Sequence, residues 1–188
     1  MNFANKVSTF RILIVPFFIA CFIYYSQDPQ GRVYLRYLAL FIFVLGVISD
    51  AVDGYVARKS KQQSQAGMIL DPLGDKLLLM SAYVCLNVSP LGIRFPLPVM
   101  LIVISRDTII LLGAVVLFMV KQKINIMPTR WGKLTTTFQM LSVIVVLLQW
   151  KFSFLLWWIA VVFTVISGVD YIMRGFKILY DADTPRHT

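Results

Sequence analysis

A chain of 188 residues that is 59% hydrophobic and 14% charged, with a mean hydropathy of +0.77, is too apolar for a soluble domain of its size. It is read as one integral membrane domain covering residues 1–188. The net charge of +9 lies mostly in Lys and Arg at the ends of apolar runs, which suits anionic lipid head groups and leaves no soluble basic domain for a nucleic acid.

Residues 1–11 are polar and basic, and they predict a short N-terminal interfacial segment. The apolar run from Ile12 to Tyr25 has the flanks of a signal peptide. Phe18 is a poor fit three residues before Cys21, however, and five more spans follow, so this run is predicted to be the first transmembrane helix. Further spans are predicted over about 33–58, 67–88, 97–120, 132–150 and 154–175, each near the 20 residues that cross about 30 Å of hydrocarbon. The fold class is therefore all-α, a polytopic membrane protein of six transmembrane helices.

Lys and Arg are retained on the cytoplasmic side. With the N-terminus inside, that side collects Lys6, Arg11, Arg58, Lys59, Lys61, Lys121, Lys123, Arg130, Lys133, Arg174, Lys177 and Arg186, against Arg32, Arg36, Arg94 and Lys151 opposite. Both termini are then cytoplasmic, in what is expected to be a bacterial inner membrane. Cys21 and Cys85 lie in apolar runs and are expected to be buried and inert. The aromatic residues at span ends, Tyr24, Tyr25, Tyr34, Tyr37, Trp150, Trp157 and Trp158, are expected at the membrane interface, and His187 in solvent.

The chemistry is concentrated in residues 50–75. Asp50 and Asp53 stand at i, i+3, and Asp71 and Asp75 at i, i+4, so each pair shares a face of its own helix. Two helices joined by a short polar turn would gather four carboxylates. Each costs roughly 2.5 to 3.5 kcal/mol at bilayer depth, and together they call for a compensating positive charge. All-oxygen ligands, with no nearby His or Cys, favour Mg²⁺ or Mn²⁺ over zinc. Gly54, Ala57 and Gly67 leave room for a ligand against the backbone, and Arg58 follows Asp53 by about a turn, where it can meet phosphate.

Read in full, Asp50-x-x-Asp53-Gly54-x-x-Ala57-Arg58, eight residues, Gly67-x-x-x-Asp71-x-x-x-Asp75 resembles the signature of the CDP-alcohol phosphatidyltransferase family, with every position filled. The resemblance implies a homodimer of six-helix subunits that transfers a phosphatidyl group from CDP-diacylglycerol to an alcohol and releases CMP at the cytoplasmic helix ends. It implies that Asp50, Asp53, Asp71 and Asp75 hold divalent metal, two ions in all, and that Asp75 is the general base. Gly54, Ala57, Arg58 and Gly67 would hold the CDP portion. Asn5, Ser8 and Arg11 recur at i, i+3, i+6 before the first span. They can be an ordinary positively flanked helix start, or the polar face that closes over the nucleotide in the family, where Thr usually stands in place of Ser8.

The acceptor is less sharply marked. Length, the opening NKVSTFRILIVPFF, DPLGDKLL and ISGVDYIMRG are similar to phosphatidylglycerophosphate synthases, which use glycerol 3-phosphate. VISRD and PTRWGKLTTTFQ are instead similar to CDP-alcohol-type cardiolipin synthases, whose acceptor is phosphatidylglycerol. The rest of the chain favours glycerol 3-phosphate. Arg106, Arg130 and Lys133 are the candidate acceptor-binding residues. Asp107 falls about 100° from Arg106 on a helix, so Arg106 is expected to aim at the central carboxylates or at a phosphate. Intramembrane aspartates also occur in cation transporters, but the inverted repeats and broken helices common there are not evident.

Overall fold

The computed structural model describes residues 3–60, 65–121 and 130–183, and the side chains of 11–49, 74, 76–113 and 131–175 within them. The described residues form six helices and no strand: α1 (Phe3–Gln27), α2 (Val33–Ser60), α3 (Gln65–Val88), α4 (Leu97–Lys121), α5 (Arg130–Leu147) and α6 (Ser153–Asp183). Apolar residues on nearly every face suit the helical form of the chain. In hydrocarbon a helix satisfies all its own backbone hydrogen bonds, whereas an open strand leaves an edge unpaired.

The bundle is built around α3, which packs mainly on α1 and also meets α4 and α5. Ala82, Tyr83 and Leu86 of α3 are fully buried with Phe18, Phe95, Val103, Val143 and Val146. Tyr83 stacks on Phe95 with ring centroids 4.3 Å apart, and Phe95 meets the edge of Trp157 at 5.9 Å. Tyr171 Oη donates to the Ile110 carbonyl at 3.2 Å, and the pairing of Arg106 with Ser167 on the same two helices sets α4 and α6 parallel. A Cβ at Gly113 would lie 2.7 Å from that Tyr171 hydroxyl, so glycine there lets the helices approach.

Polarity is distributed opposite to a soluble protein. Leu13, Phe17, Phe41, Leu101, Leu112, Leu155, Val165 and Met173 are exposed, while Arg106, Asp107, Thr135, Gln139, Ser142, Thr164 and Ser167 are buried. The buried groups bond one another: Gln139 Nε2 donates to Thr164 Oγ1 at 3.0 Å, and Tyr83 and Ser142 share a bond of 2.8 Å. Apolar outside and hydrogen-bonded inside is the arrangement hydrocarbon requires. By length and hydropathy, Ser153–Gly175 is the one described stretch long and apolar enough to cross a membrane.

Several expectations need correction. The N-terminal segment is not a separate interfacial element: α1 runs unbroken from Phe3 through Pro16. At the other end α6 continues past Gly175 to Asp183, and α5 stops at Leu147, before a turn in which Gln149 has φ 57°. Tyr25 and Trp157, expected at the interface, are buried, because each faces the core. Trp150, Trp158, Tyr24, Tyr34 and Tyr37 are exposed as expected. Cys21 and Cys85 are free thiols, buried and half-buried. His187 lies outside the described residues.

Candidate active site

The aspartates fall where α2 ends and α3 begins. Asp50, Asp53, Gly54, Ala57 and Arg58 occupy the last three turns of α2, and Gly67, Asp71 and Asp75 the first three turns of α3. Only residues 61–64 separate the two helices, so Ser60 and Gln65 lie within about 18 Å of one another. Both motif halves therefore sit at one end of the bundle. Asn5 and Ser8 lie in the opening turns of α1, which reverses into α2 through the turn at 28–32 and so begins at that same end. The side chains of these residues, and of Arg130, lie outside the described ones.

Direct packing of α2 on α3 is slight among the described residues, and both helices lean on α1 instead. Arg11 of α1 shows what this arrangement does. It is 2% exposed and lines a cavity of about 10 Å³ with Phe43, Gly46 and Val47 of α2, Leu78 and Leu79 of α3, and Met140 of α5. Gly46 and Val47 lie one turn before Asp50, and Leu78 and Leu79 one turn after Asp75. A guanidinium is thus buried one turn below both acid-bearing segments.

A second charged group joins three helices. Lys76 Nζ of α3 donates to Asp107 Oδ1 of α4 at 2.9 Å, and Arg106 Nη1 donates to the same oxygen at 2.7 Å. Arg106 Nη2 donates to Ser167 Oγ of α6. Asp107 is fully buried and Arg106 nearly so. The expectation that Asp107 points away from Arg106 is corrected: the guanidinium folds back along α4 and spans the 100° between them. Two of its three nitrogens are thereby engaged, while Arg106 Nε and Asp107 Oδ2 have no hydrogen-bond partner among the described residues. Arg106 also lines an open groove of about 360 Å³ between α4 and α6, with Leu101, Ile102, Ser105, Ile109, Thr164 and Gly168 among its walls.

Lys133 is exposed in the first turns of α5. At the far end of α5, Gln149 bonds Ile93 in the α3–α4 connection, so α5 starts at the same end of the bundle as α3. Lys133 therefore shares the aspartate end, whereas Arg106 sits deeper, beyond Lys76. Lys76, inside the third predicted span, was not among the candidates drawn from the sequence. Its position directly after Asp75 was the available signal.

Comparison with known proteins adds a family and named relatives. The family model described as CDP-alcohol phosphatidyltransferase matches residues 1–166. A protein of Aquifex aeolicus named CDP-diacylglycerol--glycerol-3-phosphate 3-phosphatidyltransferase is 29% identical over 188 residues, covering 96% of this chain and 99% of its own length. A Bacillus subtilis protein of the same name is 30% identical over 194 residues, covering 95% of this chain and 97% of its own. A Mycobacterium tuberculosis protein named probable phosphatidylglycerophosphate synthase is 29% identical over 182 residues, covering 94% and 82%.

Proposed function

Since the chain belongs to the CDP-alcohol phosphatidyltransferase family and is a transferase of phospholipid biosynthesis, we propose that it moves the phosphatidyl group of CDP-diacylglycerol to glycerol 3-phosphate and releases CMP. The observation that carries this reading is the placement of every motif position on two helix ends at one end of the bundle, within a chain similar along nearly its whole length to relatives bearing that activity in their names.

In this reading all six helices span the membrane, in a homodimer, with both termini and the site on the cytoplasmic side of a bacterial inner membrane. The acyl chains of the donor stay in the bilayer while its diphosphate reaches the ends of α2 and α3. Asn5, Ser8, Gly54, Ala57, Arg58 and Gly67 hold the cytidine and diphosphate. The donor set of Asp50, Asp53, Asp71 and Asp75, all oxygen and all carboxylate, fits two Mg²⁺ or Mn²⁺ ions. Such ions supply charge neutralisation to the phosphates and to the CMP leaving group.

The protein's own groups do the rest. Asp75 takes the proton from the acceptor hydroxyl as its oxygen attacks the phosphorus that carries diacylglycerol. The bond from that phosphorus to the bridging oxygen breaks, and CMP leaves with the electron pair. Arg130 and Lys133 offer charge to the phosphate of the acceptor at the same end of the bundle. Arg106 is a less direct candidate for that phosphate, because Asp107 and Ser167 already engage it.

The experiment is to offer the purified protein CDP-diacylglycerol, Mg²⁺ and either glycerol 3-phosphate or phosphatidylglycerol, and to follow CMP. Release with glycerol 3-phosphate is expected. Release with phosphatidylglycerol alone would assign the cardiolipin-type acceptor, and release with neither would overturn the reading.

A further inference from the structure

Lys76 follows Asp75 directly, about 100° round α3. Its bond to Asp107 is the one ion pair between α3 and another helix among the described residues, and the same carboxylate oxygen also receives Arg106, which continues to Ser167. One buried oxygen therefore ties α3 to α4 and, through Arg106, to α6. Its surroundings make the tie strong. Asp107 is 0% exposed, and removing one partner of a buried charge leaves the other uncompensated.

The packing of α3 gives this tie a specific effect. Among the described residues α1 and α4 do not touch, so they hold α3 from different sides, and α2, which carries the other aspartates, adds little. Along α3 the pair lies one residue beyond Asp75. A rotation of α3 by about 20° would carry a side-chain tip, some 5 to 6 Å from the axis, through about 2 Å. A misplacement of about 1 Å at a reacting centre is enough for roughly 10²-fold in rate.

We propose that Asp107 is a positioning residue for the transfer reaction: by holding Lys76, it fixes the rotation of the α3 turns that bear Asp71 and Asp75. The inference rests on the transferase reading above. It assigns Asp107 no contact with substrate. It also accounts for two cations converging on one oxygen: Arg106, anchored to Ser167, holds the carboxylate still for Lys76.

The test compares CMP release by Lys76→Met, Lys76→Arg, Asp107→Asn and the Lys76→Met/Asp107→Asn double variant, each corrected for the folded fraction. Lys76→Met leaves Arg106 to neutralise Asp107, so the bundle keeps a paired charge while α3 loses its tie. Its kcat should fall about 10-fold or more, with KM for CDP-diacylglycerol changed by less than about threefold, and Lys76→Arg should recover most of the loss. Asp107→Asn should show the same kcat-selective loss, and the double variant little more than either, because the two residues act as a unit. If Asp107→Asn does not fold, the Met and Arg variants at position 76 decide alone. Wild-type kcat in Lys76→Met, or a loss in Lys76→Arg as large as in Lys76→Met, overturns the clamp and leaves the transferase reading standing. A wild-type protein that releases no CMP with either acceptor overturns both.

Discussion

Gln149 clasps Ile93 by both backbone groups: its amide Nε2 donates to the Ile93 carbonyl, and its Oε1 accepts from the Ile93 N–H, each at 2.8 Å. The same Nε2 donates to the Val146 carbonyl, and Gln149 holds φ at 57°, where a side chain is uncommon. The clasp fastens the α5–α6 turn to the α3–α4 connection at the end of the bundle away from the aspartates. Gln149→Ala loses every one of these bonds and keeps the strained backbone, so it should destabilise the protein by about 1 to 3 kcal/mol. Thermal unfolding in detergent measures this, and CMP release per folded molecule should be unchanged.

Metal dependence follows from the carboxylate donor set at Asp50, Asp53, Asp71 and Asp75. Exhaustive chelation should abolish CMP release, and Mg²⁺ or Mn²⁺ should restore it. Full activity in the chelated protein would remove metal from the reading.

Gly54 and Gly67 flank the acid pairs near the facing helix ends, and the proposed role is to admit the donor to the backbone. Leu at either position should block binding of CDP-diacylglycerol while the protein stays folded. Normal donor binding by both variants would leave these glycines a role in helix packing alone.

Asp75 and Asp53 should separate by kinetics. Asp75→Asn keeps the shape and removes the base, so turnover should fall about 10²-fold or more with donor affinity nearly intact. Asp53→Asn should weaken metal and donor together. Measuring donor affinity and turnover with metal titrated distinguishes them, and an equal loss of donor affinity in both would make Asp75 chiefly a ligand.

Much of the architecture was legible because hydrocarbon is a simple solvent. Long apolar runs bounded by Lys and Arg gave six helices to within a few residues at most ends, and the fixed spacing from Asp50 to Asp75 placed the motif across one helix junction. What could not be read was which face of each helix turns inward. Trp157 and Trp158 are alike in sequence and opposite in burial, at 9% and 55% exposed, because they point in different directions from α6. Long-range pairing was equally hidden. Lys76 and Asp107 stand 31 residues apart, and no local pattern announces that a cation inside one helix meets an acid on the next. The end of α6 was missed for a different reason: hydropathy falls after Gly175, but helix formation outlasts it, since nothing in FKILYDAD breaks a helix.

The place of α1 bears on how the molecule is made. Synthesis runs from the N-terminus, so the helix that α2 and α3 both lean on leaves the ribosome before either of them. When the acid-bearing segments emerge, each meets a partner already made, with Arg11 in place. The last hairpin, α5 with α6, packs against α2, α3 and α4 and can close on them afterwards. A chain delivered in the reverse order would make its aspartate-bearing helices before the cation that lies buried between them.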